Sequence, residues 1–405
     1  MPTVKLIANV FLGAGLAILF LPVAVFFVES MLGCIFVRRK KSVESRVPCT
    51  VTVLIPAHNE ELGIARTLTS LTEDAGANAK ILVVADNCSD KTAEIARLAG
   101  ADVVERFNDQ HRGKGFALEF GLQHLADDPP DVVIIVDADC IVESGAIGNL
   151  ARLAYESNAP VQGKYIMHPP AEADAKQRIS GFAFVVKNWV RPLGLRVLRQ
   201  PCLLTGSGMA FPWKSLASVS IGSGNIVEDM QMAVDLVIAG HSPFFSDDAT
   251  IIGFLPSQSS AATEQRRRWE HGHLTTSRTQ ISRLLWAFLR TPRLDLLTLA
   301  CDLSVPPLAL LVAVVTVYTA LTVVAFWLNV VSLPLVFVNV TLIGMLIIAV
   351  LFSWIRFGRQ ILTPRSLLSV PHYVLAKLPL YRSYIASPQE EWVRTSRDEI
   401  DVNVS

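Results

Sequence analysis

Apolar and polar positions alternate along this chain on very different scales. From Leu6 to Val28, and again from Leu303 to Ile355, no Asp, Glu, Lys or Arg occurs. As a helix the first run would reach about 34 Å, enough to cross a hydrocarbon core of about 30 Å. The second is too long for one span, and the turn-like stretch Asn329–Pro334 divides it into Leu303–Leu328 and Leu335–Ile355, a helical hairpin. Three membrane spans are therefore predicted. A cleaved signal peptide would have a shorter apolar core and a small-residue cleavage site. Here apolar character resumes after Glu29-Ser30, reaches Val37 and ends in Arg38-Arg39-Lys40-Lys41, so residues 1–37 read as a retained anchor. Pro306-Pro307 bends the second span or delays its entry into lipid.

Between the apolar blocks the pattern shortens. Thr50–Pro56, Lys80–Ala85 and Asp131–Val136 are β-branched apolar runs ending in turn residues, and they read as buried strands. Glu60–Leu71, Lys91–Leu98 and Lys114–Leu125 between them have helical spacing. Such alternation predicts an α/β domain with a mostly parallel sheet covered on both faces. Ligands of that architecture gather at the carboxyl ends of the strands, where His58-Asn59-Glu60, Asp86-Asn87 and Asp137-Ala138-Asp139 cluster. Two further segments, Ile179–Leu198 and Gln280–Leu299, join apolar residues and Trp to basic flanks, which suits helices lying in the cytoplasmic interface; packing against the soluble domain is the other use of such a face. Val370–Leu380 is a third interfacial piece, too short to span. The resulting division is an anchor (1–37), a catalytic-type domain (48–276), an interfacial helix (277–300), a hairpin (303–355) and a tail (356–405).

Composition agrees with an integral membrane protein. Charged residues are 18% of the 405, below the roughly 25% of ordinary soluble domains. The 36 basic and 36 acidic residues cancel, so no basic field marks a nucleic-acid partner. Positive charge is distributed unevenly: Arg38–Arg46 follow the first span and Arg356, Arg359 and Arg365 the third, while the hairpin loop has none. The N-terminus is thereby predicted outside, with the middle domain and tail in the cytoplasm. Six cysteines without a CxxC pair, mostly on that side, are expected as reduced thiols. Spans without a charge offer no polar path, which disfavours a transporter.

The chemistry sits at the strand ends. No GxGxxG follows the first strand, and Gly113-Lys114-Gly115 lacks the rest of a phosphate loop, so neither a dinucleotide nor a Walker-type ATPase is indicated. Asp137 and Asp139, one residue apart beyond a strand, can converge on one hard cation, Mg2+ or Mn2+, holding a diphosphate; Asp in such a turn also serves local hydrogen bonding. Asp86 is placed to accept hydrogen bonds from a base or ribose, and Lys114, flanked by glycines at a helix start, to approach a nucleotide. Glu228-Asp229 opens one helix and Gln265-Arg-Arg-Arg268-Trp269 lies in another before the membrane; Arg266 and Arg267 also suit anionic lipid heads.

Together these residues resemble the membrane-bound branch of glycosyltransferase family 2, which includes cellulose, chitin and hyaluronan synthases. The resemblance runs in order from about Val51 to Thr276: a first aspartate (Asp86), Asp-x-Asp (Asp137, Asp139), Glu-Asp (Glu228-Asp229) and QxxRW (Gln265, Arg268, Trp269). Thr205-Gly206-Ser207-Gly208 is similar to the glycine-rich acceptor-side loop. Ala85-Asp86-Asn87-Cys88 departs from the Asp-Asp-Gly-Ser of many members, leaving the donor open. The resemblance implies a GT-A type α/β domain and inverting transfer of a hexose from a nucleotide sugar, foremost a UDP-sugar. Asp229 would be the base, Asp139 with Asp137 the metal ligands, Asp86, Lys114, Asp137, Gln265 and Arg268 the donor site, and Trp269, Gly206 and Gly208 the acceptor side. The opposing reading is a non-catalytic nucleotide-sugar-binding subunit or scaffold, for which the base would have no use. Three spans enclose no secretion channel, so the expected product is a glycosylated lipid or short oligosaccharide, and export of a long polymer would need oligomerisation or a partner.

Overall fold

A computed structural model describes residues 2–36, 48–75, 79–222 and 226–387. The chain opens with the 34-residue helix α1 (Pro2–Ile35). There follow β1 (Val51–Ala57), α2 (Ile64–Ala75), β2 (Ala79–Asp86), α3 (Thr92–Leu98), β3 (Asp102–Arg106), α4 (Lys114–Leu125) and β4 (Val132–Ile135). These four strands lie parallel in the order β3-β2-β1-β4, with Ile55 beside Val83 and Leu54 beside Ile135. That register brings the ends of β1, β2 and β4 to one edge. The predicted strands are there, and β3 is an addition. It is a half-polar edge strand with only Val103 and Val104 apolar, so its pattern carries no strand signal.

The second half of the sheet comes from β5 (Ile141–Val142), β6 (Val161–His168), β7 (Met209–Pro212) and β8 (Phe244–Phe254), with α5 (Ala146–Ser157), α6 (Ala175–Val185), α7 (Arg191–Val197), α8 (Trp213–Leu216) and α9 (Glu228–Ala239) between them. The full order is β3-β2-β1-β4-β7-β6-β8-β5. β7 runs antiparallel to both β4 and β6, while β6 and β8 are parallel, so the sheet is mixed beyond its first four strands. Alternate residues of β1 face opposite sides. Val53 and Ile55 pack with Ile64 and Leu68 of α2 and Leu150 of α5. Leu54 packs on the other side with Leu118 of α4 and Val234 of α9.

The remaining elements are helical: α10 (Ser259–Arg290), α11 (Leu294–Ser304), α12 (Leu308–Trp327), α13 (Leu333–Ser353), α14 (Pro364–Leu367) and α15 (Val370–Ala386). Among the described residues, three helices are long and apolar enough to cross a membrane, over Lys5–Ile35, Leu308–Trp327 and Leu333–Gly358. Leu303 and Ser304 belong to α11, because Pro306-Pro307 cannot continue its hydrogen-bond ladder and α12 starts afresh after them. Asn329 makes the predicted turn with a left-handed φ of 58°. Inside the hairpin Asn339 donates to Thr322 Oγ1 at 3.0 Å, a polar clasp between the two helices. The positive residues after α1 (Arg38–Lys41, Arg46) and the end of the tail, 388–405, lie outside the described residues.

Both segments expected at the interface are helical, and both are packed. In Gln280–Leu299 a break at residues 291–293 separates α10 from α11; Leu284, Leu296 and Leu299 are buried against α9, while Trp286 and Leu289 remain 63% and 72% exposed. Part of the segment's apolar face is thus packed on the domain, and part is left exposed. Ile179–Leu198 is instead buried along most of its length, running through α6, a π-helical turn at Val186–Val190, and α7.

At that turn the anchor is fastened to the domain. Arg191 Nε donates to Glu29 Oε2 at 2.7 Å, and its Nη2 donates to Asp302, so one buried guanidinium joins α1, α7 and α11. Gly33 and Gly194 let the backbones touch: a Cβ on Gly33 would collide with the Val190 carbonyl, and one on Gly194 with the Glu29 carbonyl. The Glu29-Ser30 interruption in the apolar run is therefore a docking point inside one continuous helix.

Candidate active site

The strand edge opens onto a cleft of about 500 Å³. Asn59 and Asn87, with φ of 53° and 51°, turn the chain sharply after β1 and β2 and keep the strand ends open. Asp86 lines the cleft, but it is only 5% exposed and already accepts from Arg106 Nη1 at 2.6 Å and from Asn87 Nδ2 at 3.1 Å. Burial raises its pKa, and Arg106 offsets part of that rise. His58 Nδ1 donates to the Asp86 carbonyl at 2.7 Å and fixes the turn.

Beyond β4, Asp137, Asp139 and Cys140 hold ligand-type atoms within 4.8 Å of one another. The Cys140 thiol is buried and pushed well above its ordinary pKa by that burial and by both aspartates, so it stays protonated. Two carboxylates that leave other positions to a diphosphate fit a hard divalent ion; a protonated thiol does not ligate one. Lys114, at the first turn of α4, reaches across the cleft. Its Nζ lies 2.5 Å from Asp137 Oδ1 and 3.7 Å from Glu228 Oε1, and donates to the Gly206 carbonyl at 2.6 Å. Burial alone would lower its pKa, but Asp137 and Glu228 outweigh that and hold it raised.

Glu228 and Asp229 open α9. Asp229 accepts the Met230 N–H at 2.8 Å. Burial raises its pKa, with Lys114 and Lys187 pulling the other way. Glu228 is pushed up to about 7, again chiefly by burial and against the pull of Lys114. Gly206 stands at the focus of these groups. A Cβ there would sit 3.4 Å from Asp229 Oδ2, 3.5 Å from Lys114 Nζ and 3.9 Å from Asp137 Oδ2, and its φ of +93° also favours glycine. Gly208 is not part of the cleft lining. Its φ of +68° and the clash its Cβ would make with Ile251 account for glycine there by packing.

The QxxRW spacing is explained by helix geometry, since residues i, i+3 and i+4 share a face. Gln265, Arg268 and Trp269 all line the cleft from α10, while Arg267 is exposed and Arg266 points into a neighbouring hollow. The Gln265 side-chain carbonyl is buried with no donor among the described residues, as expected of a group awaiting one from a ligand. Trp269 meets Phe184 edge to face at 5.0 Å.

Residues 48–272, more than half of the chain, match the family described as glycosyltransferase like family 2. The chain belongs to that family. It is 29% identical over 141 residues to the 4,4'-diaponeurosporenoate glycosyltransferase of Staphylococcus haemolyticus, covering 33% of this chain and 36% of that protein. With a low-salt glycan biosynthesis hexosyltransferase of Haloferax volcanii it shares 30% over 121 residues, 29% of this chain and 28% of that one. The chain spans about a third of the length of these curated relatives. Among solved structures, a mannosyltransferase from Pyrobaculum calidifontis in complex with GDP-Man and Mn2+ superposes with a TM-score of 0.51 at 17% identity, over 86% of this chain and 98% of that one. The fold is thus of GT-A type.

This family 2 chain brings all the sequence-predicted site residues except Gly208 into one cleft. It adds residues that sequence reasoning missed. Arg106 escaped because β3 carries no strand pattern. Gln162, buried in β6, steadies the Thr205–Gly208 loop by accepting from the Thr205 N–H at 2.9 Å and donating to the Ser207 carbonyl at 3.0 Å. Lys187 and Asn188 enter from the π-helical turn, a local widening common at functional sites and invisible in residue spacing.

Proposed function

We propose that this chain is an inverting hexosyltransferase of the cellulose, chitin and hyaluronan synthase-like branch, moving a sugar of glucose or N-acetylglucosamine type from a nucleotide sugar, foremost UDP-linked, to a lipid or saccharide acceptor. The observation that carries the reading is the convergence of Asp137, Lys114 and Asp229 around Gly206, with Asp139 beside Asp137, in a cleft that Arg268 also lines. Asp229 takes the proton of the acceptor hydroxyl as its oxygen bonds to the anomeric carbon. The bond from that carbon to the diphosphate breaks, and its electron pair leaves with the diphosphate. Asp229 is suited to this because burial raises its basicity while Lys114 and Lys187 keep it ionisable. Mg2+ or Mn2+ held by Asp139 and Asp137 would supply positive charge to the leaving diphosphate. Lys114 and Arg268 face the same charge, Asp86 and Gln265 serve the nucleoside, Trp269 offers an apolar face to the acceptor, and Glu228 positions Asp229.

We place the chain in a bacterial inner membrane with the N-terminus outside and the catalytic domain and tail in the cytoplasm, following the positive charge after the third span. Its products would be a glycolipid, or an oligosaccharide of the kind used in exopolysaccharide synthesis, with a second copy or an export partner needed for a long polymer. The test is a screen of UDP- and GDP-sugars for transfer in purified membranes, with Mn2+, Mg2+ or excess chelator, and Asp229→Asn as control. Turnover confined to the wild type with added metal is expected. Equal turnover in Asp229→Asn, or full activity in chelator, would overturn the corresponding assignment.

A further inference from the structure

Beside the cleft lies a hollow of about 140 Å³ that shares Phe184, Lys187 and Trp269 with it. Its walls include Phe26 of α1, Ala309 and Val312 of α12, Val350 of α13 and Val374 of α15, so each candidate span contributes. Resting on the transferase reading above, we propose that this chamber receives the hydrocarbon chain of a lipid acceptor, whose hydroxyl head passes the Phe184–Trp269 pair to reach Asp229.

Three observations carry this. First, the size is close to that of apolar cavities of about 150 Å³ that stay dry and hold a benzene-sized molecule, which suits a stretch of alkyl or isoprenoid chain and not a hydrated sugar. Second, a chamber walled by the ends of spanning helices lets a lipid tail enter without leaving apolar surroundings. Third, its seam with the cleft is amphipathic. Phe184 and Trp269 give the apolar side, while Lys187 forms no hydrogen bond or ion pair among the described residues and lies in the field of Asp229. A hydroxyl-bearing head has a cation and the base on one side, and its tail meets a mostly apolar wall on the other, in which Arg266, Glu270, His273 and Lys377 also take part.

The experiment uses the full chain in lipid vesicles and a dodecanol analogue carrying a diazirine near its terminal carbon. After irradiation, label is expected on residues 308–312 and 370–377. Unlabelled decanol should reduce it, and Ala309→Trp and Val374→Trp, which fill the chamber from different helices, should each lower it by about tenfold, the effect of losing roughly two buried methylene contacts. Folding of the variants is checked by size-exclusion profile and thermal midpoint, and decanol competition on the wild type decides the matter should both variants misfold. Label spread over the outward-facing Val317, Leu321 and Phe337 without competition would overturn the proposal, as would protection by a soluble tetrasaccharide but not by decanol. Transfer from the donor sugar in purified membranes with added metal is measured separately. Its absence with chamber labelling intact would sink the transferase reading alone, and its presence without chamber labelling would sink the chamber alone.

Discussion

The two hollows on either side of Trp269 are built by opposite means. The cleft takes Asp86, Asp137 and Asp139 from the ends of parallel strands, where the sheet's hydrogen-bond register fixes their spacing, and Glu228 and Asp229 from the first turn of α9. The chamber draws mostly apolar side chains from several helices far apart in the chain, α1, α6, α12, α13 and α15 among them. In the first, the identity of each group matters because charges act over several ångströms in a buried site. In the second, only volume and polarity matter. On the proposed reading, chemistry is written in a few residues around the sheet edge, while accommodation of the acceptor is distributed over the candidate spans and the helices packed on them.

The contrast breaks most visibly at Asp229. Replacing it with Asn should lower kcat by about 10²–10⁴-fold, with nucleotide-sugar affinity by calorimetry unchanged. A comparable loss of affinity would make Asp229 a binding group. The frame common to both hollows comes next. Arg191→Ala leaves Glu29 and Asp302 facing each other in the interior, and should destabilise the folded protein by about 3–5 kcal/mol, read as a lower thermal midpoint in detergent. An unchanged midpoint would show that the clasp does not hold the anchor.

A change of pH should act on the cleft. Burial raises the pKa of Asp229 and pushes that of Glu228 up to about 7; a protonated Asp229 cannot accept another proton, so kcat/KM should fall as the solution is acidified, by up to about tenfold per unit once Asp229 itself takes the proton. A flat profile between pH 5 and 8 would remove the pair from the rate-limiting chemistry. The smallest effect lies in the hairpin. Asn339→Leu should cost about 0.6 kcal/mol and leave transfer unchanged, because Asn339 clasps Thr322 and lines neither hollow. Lost transfer in that variant would instead argue for a polar route between the helices.

Much of the cleft is legible in the amino-acid order because strand-end motifs are local: Asp86, Asp137 and Asp139 each follow a recognisable apolar run. The limits are physical as well. Arg106 lies in an edge strand whose outward residues are polar, so no period marks it. β6 hides behind Gln162 and Lys164, buried polar residues that break the apolar signal yet steady the loop before β7 and stack on Trp189. Glu29 reads as an interruption of the apolar run because its partners are 162 and 273 residues away in the sequence. The spans are plain from composition, but which side chains they turn toward the chamber depends on helix rotation, which composition does not encode.

The Gly33–Gly194 contact has a mechanical consequence. A helix long for its bilayer ordinarily relieves the mismatch by tilting by itself. Here α1 touches α7 backbone to backbone and shares the Arg191 clasp, so it can neither slide nor swivel without carrying the catalytic domain along. In the proposed membrane setting, bilayer thickness would then bear on the whole transferase domain. A thinner membrane would rock the sheet edge relative to the lipid surface, changing the height at which an acceptor head is met while leaving every catalytic distance inside the cleft as it was.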